Sequence, residues 1–188
     1  MVNGSPADVQ IAVCQAEALT EEERRWLDEM LREADWWPGG APSRSYAYAA
    51  FRWRVLVRAE GRLVAHVGLG EREVAVDERP VRVGTVGGVM THTAWQGRGL
   101  ATSALQAAQA FIRDQLGTPF GLLSCGAHML PFYRRRGWRE LDAPVVFEQP
   151  APGGTSQVEL EAPYRVMVYP CTTTPWPAGR LDLRGLMI

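Results

Sequence analysis

The stretch Gln96-Gly97-Arg98-Gly99-Leu100-Ala101 joins a strand-like run ending at Thr91 to a long helical pattern, a strand-loop-helix order around which the other elements arrange. Downstream, Ala101, Leu105, Ala108, Ile112 and Leu116 recur every three or four residues, so a helix from Arg98 to Leu116 has one apolar face. Gly117 stands where a C-cap would. At such a junction the first backbone N–H groups lack partners, and the aligned peptide dipoles amount to about half a positive charge. Gly97 and Gly99 lack Cβ atoms and let the main chain approach an anion such as a pyrophosphate; Ala101 keeps the first turn small, and Arg98 adds a cation. The same hexapeptide also serves as a plain connection. Its glycine spacing departs from the dinucleotide fingerprint, no acidic ribose ligand lies within Gly117 to Leu122, and no Walker lysine and serine follow.

Working outward, Val81 to Thr91 reads as the strand before the loop, and Trp53 to Arg58 and Arg62 to Gly70 as two more joined around Glu60-Gly61. Near the start, Val9 to Val13 alternates as a short strand. Thr20 and Glu23 form a capping box for a helix whose face is Trp26, Leu27, Met30, Leu31 and Ala34. Pro38, Gly39 and Gly40 end that segment. Beyond the long helix, Phe120 to Cys125 suits a buried strand, His128 to Arg136 a short helix closed by Gly137, and Tyr164 to Tyr169 a further strand. Gln149 to Thr155, rich in proline and glycine, reads as a loop inserted between strands. This order predicts an α/β (α+β) fold, a mixed sheet with helices on both faces.

A chain of 188 residues is long enough for one sizeable core, so residues 1–188 are expected to form a single domain with 170–188 as a C-terminal tail. Twenty basic against 21 acidic side chains leave a net charge of -1, which argues against nucleic acid and anionic lipid as partners. Three cysteines, Cys14, Cys125 and Cys171, cannot all pair within the chain and have no zinc-site spacing. No metal is expected, and a reducing cytoplasm fits. No segment approaches the roughly 20 apolar residues that cross a bilayer, and no export signal opens the sequence.

Gln96-x-x-Gly99-x-Ala101, after Gly88-Val89-Met90-Thr91 and before an amphipathic helix, resembles the coenzyme A signature of the GCN5-related N-acetyltransferases. Leu122-Leu123-Ser124-Cys125 and Tyr133-Arg134-Arg135-Arg136-Gly137-Trp138 are similar to that family's next strand and its Tyr-x-x-x-Gly-Trp/Phe segment, so the likeness covers residues 62 to 140. The resemblance implies a mostly antiparallel sheet splayed between the strands of Val89 to Thr91 and Leu122 to Ser124. It implies acetyl-CoA as cosubstrate, held by Val89, Met90, Thr91, Gln96, Gly97, Arg98, Gly99, Leu100, Ala101 and Ser124. Pairing of two copies through sheet edges or the tail is a further expectation from the family.

A thiol's ordinary pKa is about 8.5 and a phenol's about 10, so a neutral tyrosine can protonate a departing thiolate. Tyr133, at the family's tyrosine position, is the candidate acid; its other reading is a packing tyrosine. Glu71, Glu73, His66 and His92 are candidates for a base or a water relay, and none is assigned. His66 in Ala65-His66-Val67 also fits a hydrogen-bonded core histidine. Asp35, Trp36 and Trp37 combine a carboxylate with two rings where the family shapes its acceptor site, and read equally as core aromatics.

Val64-Ala65-His66-Val67, Trp95-Gln96-Gly97, Arg136-Gly137-Trp138 and Trp176-Pro177-Ala178-Gly179 look like aminoglycoside 2'-N-acetyltransferases; Pro119-Phe120-Gly121 and the same tail resemble nodulation N-acyltransferases better. Both groups acylate an amine on a sugar. The resemblance therefore implies a small-molecule amine as partner, 2'-N-acetylation of an aminoglycoside and hence antibiotic resistance, with Trp176 and Asp182 near the acceptor. A chitin-oligosaccharide-like acceptor, another small amine, or a non-catalytic acyl-CoA-binding protein are the alternatives. One departure stands out: the aminoglycoside enzymes place a glutamate where this chain has Gly87, and Gly87-Gly88 reads instead as a bulge.

Overall fold

The computed structural model describes residues 9–34 and 46–188. Asp35, Trp36 and Trp37 lie outside the described residues. Strand β1 (Gln10–Gln15) leads into α1 (Glu21–Glu33), and β2 (Trp53–Ala59), β3 (Arg62–Val76) and β4 (Arg79–Thr91) form a meander. Helix α2 (Leu100–Phe111) connects β4 to β5 (Phe120–Gly126), and α3 (Leu130–Arg134) follows. The chain closes with β6 (Arg139–Glu140), β7 (Val145–Ala151), β8 (Gly154–Glu159), β9 (Tyr164–Pro170) and β10 (Leu181–Asp182).

All ten strands belong to one sheet in the order β6-β9-β5-β4-β3-β10-β7-β8, with β2 and then β1 on the flank of β3. Strand β3 serves two neighbours because it is long: its first half pairs with β2, while Ala75 and Val76 pair with β10. Pairing is antiparallel except for β4 with β5 and β10 with β7. The first of these parallel pairs requires a crossover, which α2 supplies. Helix α1 covers one face through Leu27 and Met30, which pack with Leu56, Leu63 and Met90. Helix α2 covers the other through Leu105, Ala108 and Ile112 against Val55, Val57, Val67 and Leu69. The capping box forms as its spacing predicts: Thr20 Oγ1 accepts from the Glu23 amide at 3.1 Å, and the Glu23 carboxylate accepts from the Thr20 amide at 3.0 Å.

Four local expectations change. The long helix is α-helical only to Phe111 and continues as a π-turn over Ile112–Leu116 before Gly117 caps it at φ 62°. Leu31 is 48% exposed, so the apolar face of α1 is narrower than its spacing suggests. Gln149 to Thr155 is no loose insertion but the tip of a hairpin, with Pro150 opposite Thr155 and Ala151 opposite Gly154. Proline is tolerated at position 150 because β10 flanks β7 only at Val145 and Val146, so the missing N–H faces no ladder. Finally, β3 and β4 extend to a two-residue turn, Asp77-Glu78, where both residues take positive φ.

Candidate active site

Strands β4 and β5 pair from Val83 with Phe120 as far as Val86 with Leu123, and then part. The cause lies on the other edge of β4. Its register with β3 shifts between His66 and Gly68, which leaves an extra residue of β4 beside Gly88, a glycine at φ 55°. That bulge turns β4 away from β5, as the Gly87-Gly88 pair predicts. Beyond it the His92 amide donates to the Val64 carbonyl at 2.9 Å, so the main chain of His92 and Met90 faces β3. By the alternation of an antiparallel ladder, Thr91 and Val89 direct their main-chain groups into the gap.

His66 secures the bulge. It is 1% exposed; Nδ1 lies 2.8 Å from the Gly88 carbonyl and Nε2 lies 3.0 Å from Arg54 Nη1. A guanidinium only donates, so Nε2 accepts and Nδ1–H donates to Gly88, which makes the ring neutral. Burial, with Arg54 adding to it, pushes its pKa down to about 3 against the opposing effect of the Gly88 bond. His66 is therefore a core histidine rather than a base.

The gap opens into a cleft of about 1050 Å³. One end is the Gln96–Ala101 loop. Gly97 and Gly99 take φ of 75° and 79°, and a Cβ on either would meet nothing within 4 Å. Gly99 caps α2, and its carbonyl accepts from Thr102 and Ser103. Among the described residues none accepts from the amides of residues 97–101. The hexapeptide thus presents a row of unspent donors at a helix start, the arrangement that binds anions. Gln96 turns its side-chain amide back to the Thr91 carbonyl at 3.2 Å.

Arg98 does not reach this cradle; its guanidinium lies 4.5 Å from the Trp95 ring centre and donates to the Ala94 carbonyl. The cation beside the cradle is Arg136, which the sequence reading passed over within its own motif. Arg136 donates to Thr102 Oγ1 and to the Phe132 carbonyl and stacks 3.7 Å from the Phe132 ring centre. Val89, Met90, Thr91, Leu100, Ala101 and Ser124 all line the cleft, and the Ser124 hydroxyl donates to the Ile188 main-chain oxygen. Thr91 Oγ1 is buried without a partner among the described residues.

Tyr133, 5% exposed, borders the cleft from α3. Burial first, and then Cys125, raise its pKa above the ordinary phenol value, with Arg136 opposing, so the phenol keeps its proton. Burial pushes the Cys125 thiol up to about 12, which removes it as a nucleophile. Glu71 and Glu73 are tied to Arg82 and Arg184 and do not line the cleft. At the mouth, His92 Nε2 lies 3.8 Å from Glu33 and 4.0 Å from Glu29. Its Nδ1 accepts from the Ala94 amide at 3.3 Å, which turns Nε2 toward the two carboxylates.

The tail behaves differently from expectation. Trp176 packs edge-on against Phe120, centroids 4.9 Å apart, in the core beneath β7 and β9. Asp182 on β10 accepts from Gln157 and from the Arg184 amide. Neither lines the cleft; from the tail it is Ile188 that does.

Residues 16–141 match the family described as Acetyltransferase (GNAT) domain. The chain belongs to the GNAT acetyltransferases. Over 133 residues it is 27% identical to an aminoglycoside 2'-N-acetyltransferase of Mycolicibacterium fortuitum, covering 71% of this chain and 66% of that protein. The chain thus spans about two thirds of that relative's length. Among solved structures, Escherichia coli ElaA superposes with a TM-score of 0.59 at 13% identity, covering 86% of this chain and 99% of that one. The E. coli GNAT family N-acetyltransferase YhbS, in complex with CoA, gives 0.57 at 15% identity over 98% and 94%. An acyl-CoA N-acyltransferase of Pseudomonas aeruginosa gives 0.57 at 19% identity over 86% and 99%.

As a member of the GNAT acetyltransferase family this protein is an N-acetyltransferase, and that family's acetyl donor is acetyl-CoA. The donor row at residues 97–101 suits a diphosphate, and the outward main chain of Val89 and Thr91 suits the amides of pantetheine. The unpartnered Thr91 Oγ1 is one more polar group a bound chain would satisfy. Among the described residues no helix is long and apolar enough to cross a membrane.

Proposed function

We propose that this enzyme acetylates a primary amine borne on a sugar ring, with Tyr133 as the general acid. The observation that carries the proposal is a neutral, buried phenol beside the point where β4 and β5 part. Bound acetyl-CoA supplies the activated thioester. The amides of residues 97–101 and Arg136 would hold its phosphates and Val89 and Thr91 would pair with its amide groups; as the neutral amine attacks, Tyr133 gives its proton to the departing sulfur, and the proton shed by the amine nitrogen returns through solvent to the phenolate. Cys125 stays protonated, which supports direct transfer over an acyl-cysteine route.

The relative from M. fortuitum supports the 2'-amine of an aminoglycoside as acceptor, and with it a resistance role. A second version, the glucosamine amine of a chitin-like oligosaccharide, is favoured by Gly87, which lacks the carboxylate expected of the aminoglycoside enzymes. Release of free thiol from acetyl-CoA, followed with both acceptors, tests the proposal. Tyr133→Phe is expected to lower kcat roughly 100-fold, the usual scale of a lost general acid, with calorimetric coenzyme A affinity within about threefold. Unchanged turnover at saturating substrate would remove Tyr133 from that role.

A further inference from the structure

At the end of the cleft away from the phosphate cradle, the floor is glycine and the wall is aromatic. A Cβ at Gly68 would overlap the Phe51 ring; at Gly87 it would come to 2.9 Å of that ring and at Gly88 to 3.2 Å. Phe51 therefore lies flat on β3 and β4 and fills the space a side chain at position 87 would need. The segment bearing it is fixed by a bridge between Tyr48 and Met187 and by the Ala49 amide donating to the Met187 carbonyl at 2.7 Å. Tyr48, a residue 48% exposed, donates from its hydroxyl to that of the buried Tyr164. Tyr48, Phe51, Tyr164 and Ile188 all border the cleft. Among its described lining residues Glu33 is the single one with a carboxylate side chain.

We propose that this aromatic wall selects an amine whose body offers a flat, weakly charged face, and that it disfavours polycations. The inference rests on the acetyl-transfer reading and, of its two acceptors, favours a singly charged amine over the polycationic aminoglycoside. A ring face, aryl or pyranose, exchanges water for Phe51 and Tyr48 without stranding a charge. Several ammonium groups brought to the same place would lose hydration with one carboxylate side chain, among the described lining residues, to compensate them. The Phe51 ring also explains why position 87 is glycine: a carboxylate there and a ring at 51 exclude one another.

The test follows thiol release from acetyl-CoA with four amines: 2-phenylethylamine, a glucosamine disaccharide with one free amine, tobramycin, whose 2' position bears an amine, and spermidine. The expected result is a kcat/KM at least tenfold higher for one or both of the first two, and which of them leads identifies the face. Phe51→Ala is expected to raise KM for the preferred acceptor at least tenfold while the calorimetric Kd for coenzyme A stays within threefold. Should that variant fail to fold, the half-exposed Tyr48→Ala is read the same way, with its fold checked by circular dichroism. A tenfold preference for tobramycin or spermidine, or an unmoved KM in the folded variant, overturns the inference and leaves acetyl transfer intact. No thiol release with any amine overturns both.

Discussion

Replacing His66 by glutamine tests how the cleft is held open. In the folded protein the imidazole has a pKa of about 3, because burial opposes charge and both ring nitrogens are engaged by Arg54 and Gly88. In the unfolded chain it returns to about 6.5. The folded value lies below the unfolded one, so between pH 6.5 and 3 the unfolded chain binds the extra proton and stability falls as pH falls. At 1.36 kcal/mol per unit, lowering the pH from 7 to 5 costs about 2 kcal/mol through this residue alone, and to pH 4 about 3 kcal/mol. Urea unfolding of wild type and His66→Gln at pH 7, 5 and 4 isolates the contribution, since carboxylates titrate alike in both. The difference between the two proteins should shrink, or reverse, by about 2 kcal/mol from pH 7 to 5. Parallel pH profiles would refute a neutral, desolvated imidazole and with it the assignment of the Nδ1 proton to the Gly88 bond.

Glu23→Ala removes the capping box of α1 and leaves Arg58 without its carboxylate; the expected loss is about 2 kcal/mol, a fall in melting temperature of roughly 4–8 °C, checked by calorimetry with acetyl transfer retained at 25 °C. Gly99→Ala and Gly117→Ala impose comparable backbone strain, at φ 79° and 62° with open space around each, of about 1–2 kcal/mol. Coenzyme A affinity should fall at least tenfold at position 99 only, by calorimetry, and equal losses at both would show that strain, not approach to the diphosphate, is being measured.

What the sequence disclosed and what it hid divide along the reach of the interactions. The capping box, the α2 stripe, the Gly117 cap and the donor-rich loop are written in residues within one or two turns of each other, so local rules recover them. Gly87-Gly88 disclosed a bulge for the same reason. The hairpin at Gln149 to Thr155 was hidden because proline signals a loop unless one knows that β10 leaves that stretch of β7 unflanked. Trp176 and Asp182 were misdirected by the tail: only the three-dimensional path shows Trp176 turning under Phe120 while Ile188 travels on to Ser124. Arg136 had a signal in its motif, but that it, and not Arg98, flanks the cradle depends on Trp95 drawing Arg98 away.

Phe51 had no local signal at all, and it bears most on the acceptor. Its place is set by three glycines, Gly68, Gly87 and Gly88, drawn from two strands and made neighbours by the register shift at His66. The shift that opens β4 from β5 for the donor also exposes the glycine floor on which the ring rests. Donor and acceptor ends of the cleft are therefore coupled through one bulge, and a change at His66 or Gly88 should disturb both. Loss of coenzyme A affinity together with a raised acceptor KM in His66→Gln would express that coupling; an effect confined to one end would refute it, and no effect at either end would mean that the bulge persists without the histidine.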